Sequence, residues 1–172
     1  MNIEVLKLGP YQTNCYVLKK DNKVLIIDPA DKYKQIIKKI GDNELIGIIV
    51  THHHFDHVGA LNDLLEYYDT KVYDVNNLEE KEYNIDGFKF NVIYTKGHTD
   101  DSITIYFKEE KIMFVGDFIF KESIGRTDLG GNNVDMKNSI DKIKQYENVI
   151  IYPGHGDKTT LDYEKENNYY FN

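Results

Sequence analysis

The chain contains a single cysteine, Cys15, so no disulfide bond can form within it. No apolar stretch approaches the roughly 20 residues that a membrane-spanning helix requires, and no basic segment followed by an apolar run opens the sequence. We therefore expect a soluble, cytoplasmic protein with no membrane partner. Its 172 residues are enough for one domain, residues 1–172, that buries a core without disulfide bonds.

Positive charge is also in short supply. The sequence has 29 acidic and 21 basic residues, a formal net charge of -8 at pH 7. A phosphate backbone would meet net repulsion from such a chain, so we do not expect nucleic acid as a partner. Arg126 is the only arginine among the basic residues, and the lysines are expected to be solvated.

Short apolar and β-branched segments separated by turn residues predict strands along most of the chain. The first three, at residues 3–8, 15–19 and 24–28, fit an antiparallel meander. Further strands are predicted at residues 45–50, 71–75, 88–94, 102–107, 111–115 and 149–152. Helical spacing predicts a helix that Asp31 caps and Gly41 ends, a second at residues 58–68 and a third from about Asp135. This alternation favours a layered α/β domain.

Five of the six histidines stand just after predicted strands. They are His52, His54, His57, His98 and His155. Asp56 lies among the first three, and Asp117 follows another strand. Imidazole and carboxylate together suit a divalent transition metal such as zinc. His52 and His54, two residues apart, can face the same side while His53 faces away, so His53 is predicted not to be a ligand.

In its order of motifs the sequence resembles the metallo-β-lactamase superfamily. The signature H-x-H-x-D-H appears at residues 52–57, followed by Gly97-His98-Thr99, Gly116-Asp117 and Gly154-His155-Gly156. Residues 125–129, with sequence GRTDL, and Asp28-Pro29 resemble the small glyoxalase II-like hydrolases of bacteria. The resemblance implies an αββα four-layer sandwich, two sheets face to face with helices outside.

The resemblance also implies a site with two Zn²⁺ ions per chain, although iron and manganese suit the same ligand types. His52, His54 and His98 would hold the first ion, and Asp56, His57 and His155 the second, with Asp117 bridging them. A hydroxide bound between the ions would attack a small thioester or ester. Asp56 would orient that hydroxide and take its proton, and the overall reaction would resemble that of a hydroxyacylglutathione hydrolase.

Several residues near these motifs have two interpretations each. Arg126 either binds a substrate carboxylate as a catalytic residue or holds its loop to a neighbouring acid. Asp100 and Asp101 replace the Pro-Gly of many relatives, and they either repel an anionic substrate or hydrogen-bond to ligand histidines. Asp28 is predicted either to support a ligand or to end its strand, rather than to be a ligand, and Cys15 is predicted to be part of a core strand. The tyrosine-rich tail, residues 163–170, is predicted to be a helix that covers the sheet.

Other activities remain as alternatives. Persulfide dioxygenases have a similar fold and also contain a G-R-T-D segment. Resemblance to them implies one iron ion, held by His52, His98 and Asp117. A di-iron oxygen-sensing role would need a flavin domain for which the chain has no room, and the acidic balance disfavours a nuclease. The sequence ends at Asn172, soon after His155, so the glutathione-gripping helical extension of full-length glyoxalase II proteins is expected to be missing. A small thioester of a thiol other than glutathione therefore remains a candidate substrate.

Overall fold

The computed structural model describes all residues, 1–172, and its first β-sheet has five strands. These strands are β1 (Asn2–Leu8), β2 (Thr13–Lys20), β3 (Lys23–Ile27), β4 (Glu44–Ile49) and β5 (Val72–Tyr73). They lie side by side in chain order. β1, β2 and β3 pair antiparallel, which confirms the predicted meander, whereas β4 and β5 join as parallel strands.

The second sheet has six strands from the later part of the chain. They are β6 (Glu82–Ile85), β7 (Phe88–Tyr94), β8 (Ile103–Phe107), β9 (Ile112–Gly116), β12 (Ile150–Pro153) and β13 (Thr159–Thr160). Their order across the sheet is β13-β12-β9-β8-β7-β6. A small hairpin of β10 (Ile119–Phe120) and β11 (Ser123–Ile124) follows β9. The sequence pattern missed β6, β10, β11 and β13, because two to four residues are too few to show an alternation.

Helices cover the outer face of each sheet. They are α1 (Tyr33–Ile40), α2 (Phe55–Val58), α3 (Leu61–Tyr67), α4 (Asn133–Ile143) and α5 (Leu161–Asn167), and a 3₁₀ turn at Tyr169–Phe171 ends the chain. Apolar residues of α1 and α3 pack on the first sheet, and those of α4 and α5 on the second. The predicted αββα sandwich is confirmed. No helix is both long enough and apolar enough to cross a bilayer.

Two details of the predicted helices are wrong. The single helix expected at residues 58–68 is two helices, because the chain breaks at Gly59 and Ala60. A Cβ on Gly59 would lie 2.4 Å from the carbonyl oxygen of Ala30, so this crossing requires glycine. Asp31 does not cap α1: Lys32 occupies the N-cap position with φ 53°, and no side chain caps the helix.

The space between the sheets is filled mainly by aromatic and branched side chains. Phe114 on β9 is fully buried, and its ring lies 4.9 Å from the Tyr16 ring of β2 in the opposite sheet. Cys15, also on β2, is fully buried against the α1 side of that sheet, where burial raises the pKa of its thiol. The predicted core position of Cys15 is therefore confirmed. One face of β2 packs on the helix side of the first sheet, and the other face packs on the second sheet.

Replacing Phe114 by alanine should destabilise the protein by about 3–5 kcal/mol, because it empties a ring-sized volume between the sheets. Urea unfolding at one fixed metal concentration measures the change. Val134→Ala is the matched control, since Val134 is 70% exposed on α4 and should change stability by no more than about 0.5 kcal/mol. Equal stability of the two variants would show that the sheets do not depend on this contact.

Candidate metal centre

The seven predicted ligands come together at one edge of the sandwich. β4, β9 and β12 end there and are followed by His52, Asp117 and His155, and the loop after β7 brings His98. Ligand atoms form three groups, in each of which they lie within 4.8 Å of one another. The groups are His52 with His54 and His98, Asp56 with His57 and His155, and His52 with His57 and Asp117.

Asp117 lies between the first two groups. Its Oδ1 is 3.2 Å from Nε2 of His57, and its Oδ2 is 3.4 Å from Nε2 of His155 and 3.6 Å from Nε2 of His98. Burial alone would raise the pKa of this carboxyl, but the nearby His155 and His57 rings outweigh burial and hold the pKa well below its usual range. Asp117 is therefore a carboxylate that faces both groups.

The first group of rings is oriented by hydrogen bonds from the nitrogen that faces away from the centre. The Thr51 hydroxyl donates to Asp28 Oδ2 at 2.7 Å, so it accepts from Nδ1 of His52 at 3.2 Å. Nε2 of His54 donates to the Leu129 carbonyl at 2.9 Å, and Nδ1 of His98 donates to the Arg126 carbonyl at 2.6 Å. Each ring thus keeps its other nitrogen as an acceptor that faces inward.

The second group is oriented in the same way. Nδ1 of His57 lies 2.9 Å from Oδ2 of Asp28, and Nδ1 of His155 lies 3.1 Å from the carbonyl of Tyr11. Asp56 Oδ2 accepts a hydrogen bond from the Thr13 hydroxyl at 2.8 Å. Such outer partners fix ring orientation in metal sites and make the ligand nitrogen more basic. Asp28 therefore has the supporting position that the sequence predicted.

The inward-facing atoms fit a cation. Nε2 of His98 and Nδ1 of His54, both acceptors by the argument above, lie only 2.9 Å apart. Nε2 of His52, Nε2 of His57 and Oδ1 of Asp117 are buried without any hydrogen-bond partner. Leaving buried polar atoms unpaired costs free energy, and a divalent ion coordinated by nitrogen and carboxylate oxygen removes that cost.

The protonation states differ between the rings. Burial, with the nearby His57, lowers the pKa of His52 well below its ordinary value, and burial also lowers the pKa of His98. Burial acts in the same direction on His57, but the Asp28 and Asp117 carboxylates outweigh it and raise the pKa of His57 to about 10. His52 and His98 are therefore already neutral, whereas a metal ion at His57 displaces a proton.

Glycine is required where two of these segments approach closely. A Cβ on Gly154 would lie 2.2 Å from Oδ1 of Asp117 and 2.6 Å from Cε1 of His57. Gly116 has φ 53°, and its Cβ would lie 2.4 Å from the Thr51 hydroxyl oxygen. The glycines of the G-D and G-H-G motifs thus let the ligand loops pack directly on one another.

His53 faces away from the centre and joins two loops. Its backbone N–H and Nδ1 bond Oδ2 of Asp101 at 3.1 and 2.6 Å, and its Nε2 lies 3.1 Å from Oδ2 of Asp74. Burial lowers the pKa of His53, but the bond to Asp101 and both carboxylate charges raise it overall. Of the two interpretations of Asp101, the structure does not show the bond to a ligand histidine, because the partner of Asp101 is His53, the one histidine outside all three ligand groups.

Arg126 bonds the carboxylate of Asp128, from Nε at 2.9 Å and from Nη2 at 2.7 Å. Of the two interpretations, the structure thus shows the one in which the guanidinium holds its own loop. That loop supplies the Arg126 and Leu129 carbonyls that orient His98 and His54. A catalytic role of the Arg126 side chain stays a prediction.

Comparison with known proteins identifies the family. The protein-family sequence model described as "Metallo-beta-lactamase superfamily" matches residues 8–81 and 70–155 of the chain. The chain belongs to the metallo-beta-lactamase superfamily. Membership and the histidine and aspartate cluster together imply a divalent metal ion, and they make the protein a metal-dependent hydrolase in the broad sense of that superfamily.

Two full-length relatives are informative. A probable metallo-hydrolase of Bacillus subtilis, YqgX, is 32% identical, over 97% of this chain and 96% of the relative. The hydroxyacylglutathione hydrolase GloC of Haemophilus influenzae is 29% identical, over 100% of this chain and 99% of the relative.

Three solved structures are similar over nearly the whole chain. The B3 metallo-beta-lactamase BLEG-1 has a TM-score of 0.94 and 30% identity, with 99% of each chain covered. TTHA1623, in a di-iron-bound form, has a TM-score of 0.88 and 28% identity, covering 97% and 99%. ETHE1 from Myxococcus xanthus has a TM-score of 0.90 and 26% identity, covering 98% and 84%.

Histidine replacements distinguish the ligand-facing rings from His53. His54→Ala removes an inward-facing nitrogen and should leave fewer metal ions per chain after gel filtration. His53→Ala should keep the full metal content, because the bonds of His53 go to Asp101 and Asp74 and not to a ligand. Elemental analysis measures both. Equal metal loss in the two variants would mean that our assignment of the facing side is wrong.

Asp28→Asn should weaken metal binding about 10–100-fold. Asp28 accepts from the Thr51 amide, the Thr51 hydroxyl and His57 Nδ1, and an asparagine amide group would turn a donor towards one of these donors. Competition with a chelator measures the affinity. Asp42→Asn, at an exposed carboxylate, is the control, and unchanged affinity in Asp28→Asn would contradict the supporting role.

Proposed function

We propose that the protein is a dinuclear metal-dependent hydrolase of small thioesters. The observation that carries the proposal is the second ligand group: Asp56, His57 and His155 converge beside the first three histidines, with Asp117 between. Two divalent ions held by these residues would supply a nucleophile from water at neutral pH and polarise a carbonyl. Zinc is the metal that we propose, and the His/Asp ligands also accept iron or manganese.

The centre has one accessible side. His52, His57 and His98 are buried, whereas His54, Asp56 and His155 are only partly covered. A thioester carbonyl therefore approaches over the last three residues.

Asp56 is the residue that we propose as proton acceptor. One of its carboxylate oxygens is fixed by the Thr13 hydroxyl and lies 3.2 Å from Nε2 of His155, on the accessible side. In the overall reaction the water oxygen bonds to the carbonyl carbon and the carbon–sulfur bond breaks. The products are a carboxylate, a thiol and one released proton. Asp56 takes a proton from the attacking water, and the departing sulfur takes one up.

The relatives support the reaction class without fixing the substrate. GloC is named a hydroxyacylglutathione hydrolase, and YqgX only a probable metallo-hydrolase. We therefore propose a small thioester, with the thiol carrier left to experiment.

A persulfide dioxygenase is the second candidate, and similarity to ETHE1 favours it. That chemistry would use His52, His98 and Asp117 for one iron ion. It would leave Asp56, His57 and His155 without a ligand role, although Nε2 of His57 is buried and unpaired. Because the second group needs its own explanation, the hydrolase is the better candidate.

Asp117→Ala should reduce thioester hydrolysis at least about a hundredfold, because it removes the carboxylate that faces both ligand groups. Initial rates with a panel of thioesters, lactams and persulfides, combined with elemental analysis, measure the effect. Asp141→Ala, at an exposed acid on α4, should keep the wild-type rate. Full activity of Asp117→Ala would refute the bridging role. Oxygen uptake with a persulfide by the iron-loaded protein would refute the hydrolase and support the dioxygenase.

A further inference from the structure

Two large aromatic side chains are exposed beside the candidate metal centre. Tyr11 is 57% exposed and Phe55 is 68% exposed, and their rings contact each other edge to face at 5.4 Å. Single exposed aromatic residues are ordinary on protein surfaces, but contacting apolar groups at a cleft mark binding sites. The position of this pair therefore needs a functional explanation.

The backbone ties both rings to the proposed ligands. Phe55 stands between His54 and Asp56 in the sequence, so it is adjacent to one member of each ligand group. Tyr11 offers its carbonyl oxygen to Nδ1 of His155. The aromatic pair therefore borders the same three residues, His54, Asp56 and His155, that form the accessible side of the centre.

Behind the rings lies a cavity of about 180 Å³. Its apolar wall is made by Tyr11 and Phe55 together with Leu8, Pro10 and Ala30. Thr13 and Asp56, which hydrogen-bond to each other, also line it. A mostly apolar hollow with a few polar groups is the usual form of a small-molecule site, and here one polar residue of the lining, Asp56, belongs to the reaction centre.

The charges around the cavity disfavour an anion. No lysine, arginine or histidine lines it, and its charged residues are the acids Asp31 and Asp56. The cations nearest in the sequence face acids: Lys7 pairs with Asp157 at 3.1 Å, and Lys32 lies 3.9 Å from Asp31. Apart from the proposed metal ions, over which the thioester carbonyl would lie, an anionic group in the cavity would lose its hydration without gaining a positively charged side chain.

We propose that this cavity binds a short, uncharged acyl chain of the thioester substrate, with Tyr11 and Phe55 as specificity-determining residues. The inference rests on the proposed function, because it names the substrate class of the same centre. The carbonyl lies over Asp56, and the apolar end of the acyl chain extends into the cavity, against the two rings that line it. The driving force is removal of apolar surface from water on both partners.

Three thioesters of the neutral thiol N-acetylcysteamine test the proposal with metal-loaded protein. They carry acetyl, butanoyl and succinyl groups, and succinyl has the length of butanoyl with a carboxylate in place of the terminal methyl. Rates are normalised to uncatalysed hydrolysis. Burying two additional methylene groups should raise kcat/KM of butanoyl about tenfold over acetyl, and succinyl should fall at least tenfold below butanoyl.

Variants locate the effect. Phe55→Ala and Tyr11→Ala should each reduce the ratio of butanoyl to acetyl kcat/KM towards one, chiefly through KM for butanoyl. Tyr67→Ala is the matched control, because Tyr67 is 61% exposed and packs on Tyr33, away from the cavity. It should keep the wild-type ratio. Thermal unfolding of each variant checks that the fold is retained.

Binding of a butanoyl analogue that cannot be hydrolysed, a ketone with CH₂ in place of the thioester sulfur, gives a readout independent of turnover. Calorimetry should show binding that weakens in Phe55→Ala and Tyr11→Ala but not in Tyr67→Ala. Equal rates for all three thioesters, or a preference for succinyl, would overturn the inference and leave the proposed hydrolase intact. If no thioester is cleaved, the proposed function fails, and equal analogue binding by all variants would refute the cavity as well.

Discussion

The dominant interaction in the ligand cluster at this edge of the sandwich is the repulsion between hydrogen-bond acceptor atoms that face one another. Ring nitrogens of His54 and His98 lie 2.9 Å apart, and buried atoms of His52, His57 and Asp117 have no partner. Only positive charge between them makes such a cluster favourable. The fold brings the atoms together through strand ends from both sheets, so the packing of two apolar layers supplies the free energy that holds these atoms at close range.

Hydrogen bonds outside the cluster decide which atom of each ring faces inward. Three of the five rings are anchored by backbone carbonyls, those of Tyr11, Arg126 and Leu129, and two by the Thr51 and Asp28 side chains. The sandwich and the loops thus orient the ligands before any ion binds, which reduces the entropy lost on coordination.

Much of the fold and most of the cluster could be predicted from the sequence. β9 is a continuous apolar run and β7 is an apolar strand interrupted by Lys89 and Asn91, and the motifs that contain Asp117 and His98 follow these two strands. The break at Gly59 could not be predicted, because it depends on the approach of the Ala30 carbonyl from a distant segment. Carbonyl partners of the rings carry no side-chain signal at all. The role of Thr51 did have a signal in the sequence, since Thr51 directly precedes His52. The bond between His53 and Asp101 had none, because it joins residues 48 apart.

The separation between the anchored rings and the exposed aromatic pair has an evolutionary consequence. Tyr11 uses its backbone to orient His155, while its ring lies outside the cluster. Mutation can therefore exchange the ring at this position without disturbing the carbonyl that the metal centre uses. Proteins descended from this one can therefore change substrate specificity through residues such as Tyr11 and Phe55 while the metal ligands stay the same.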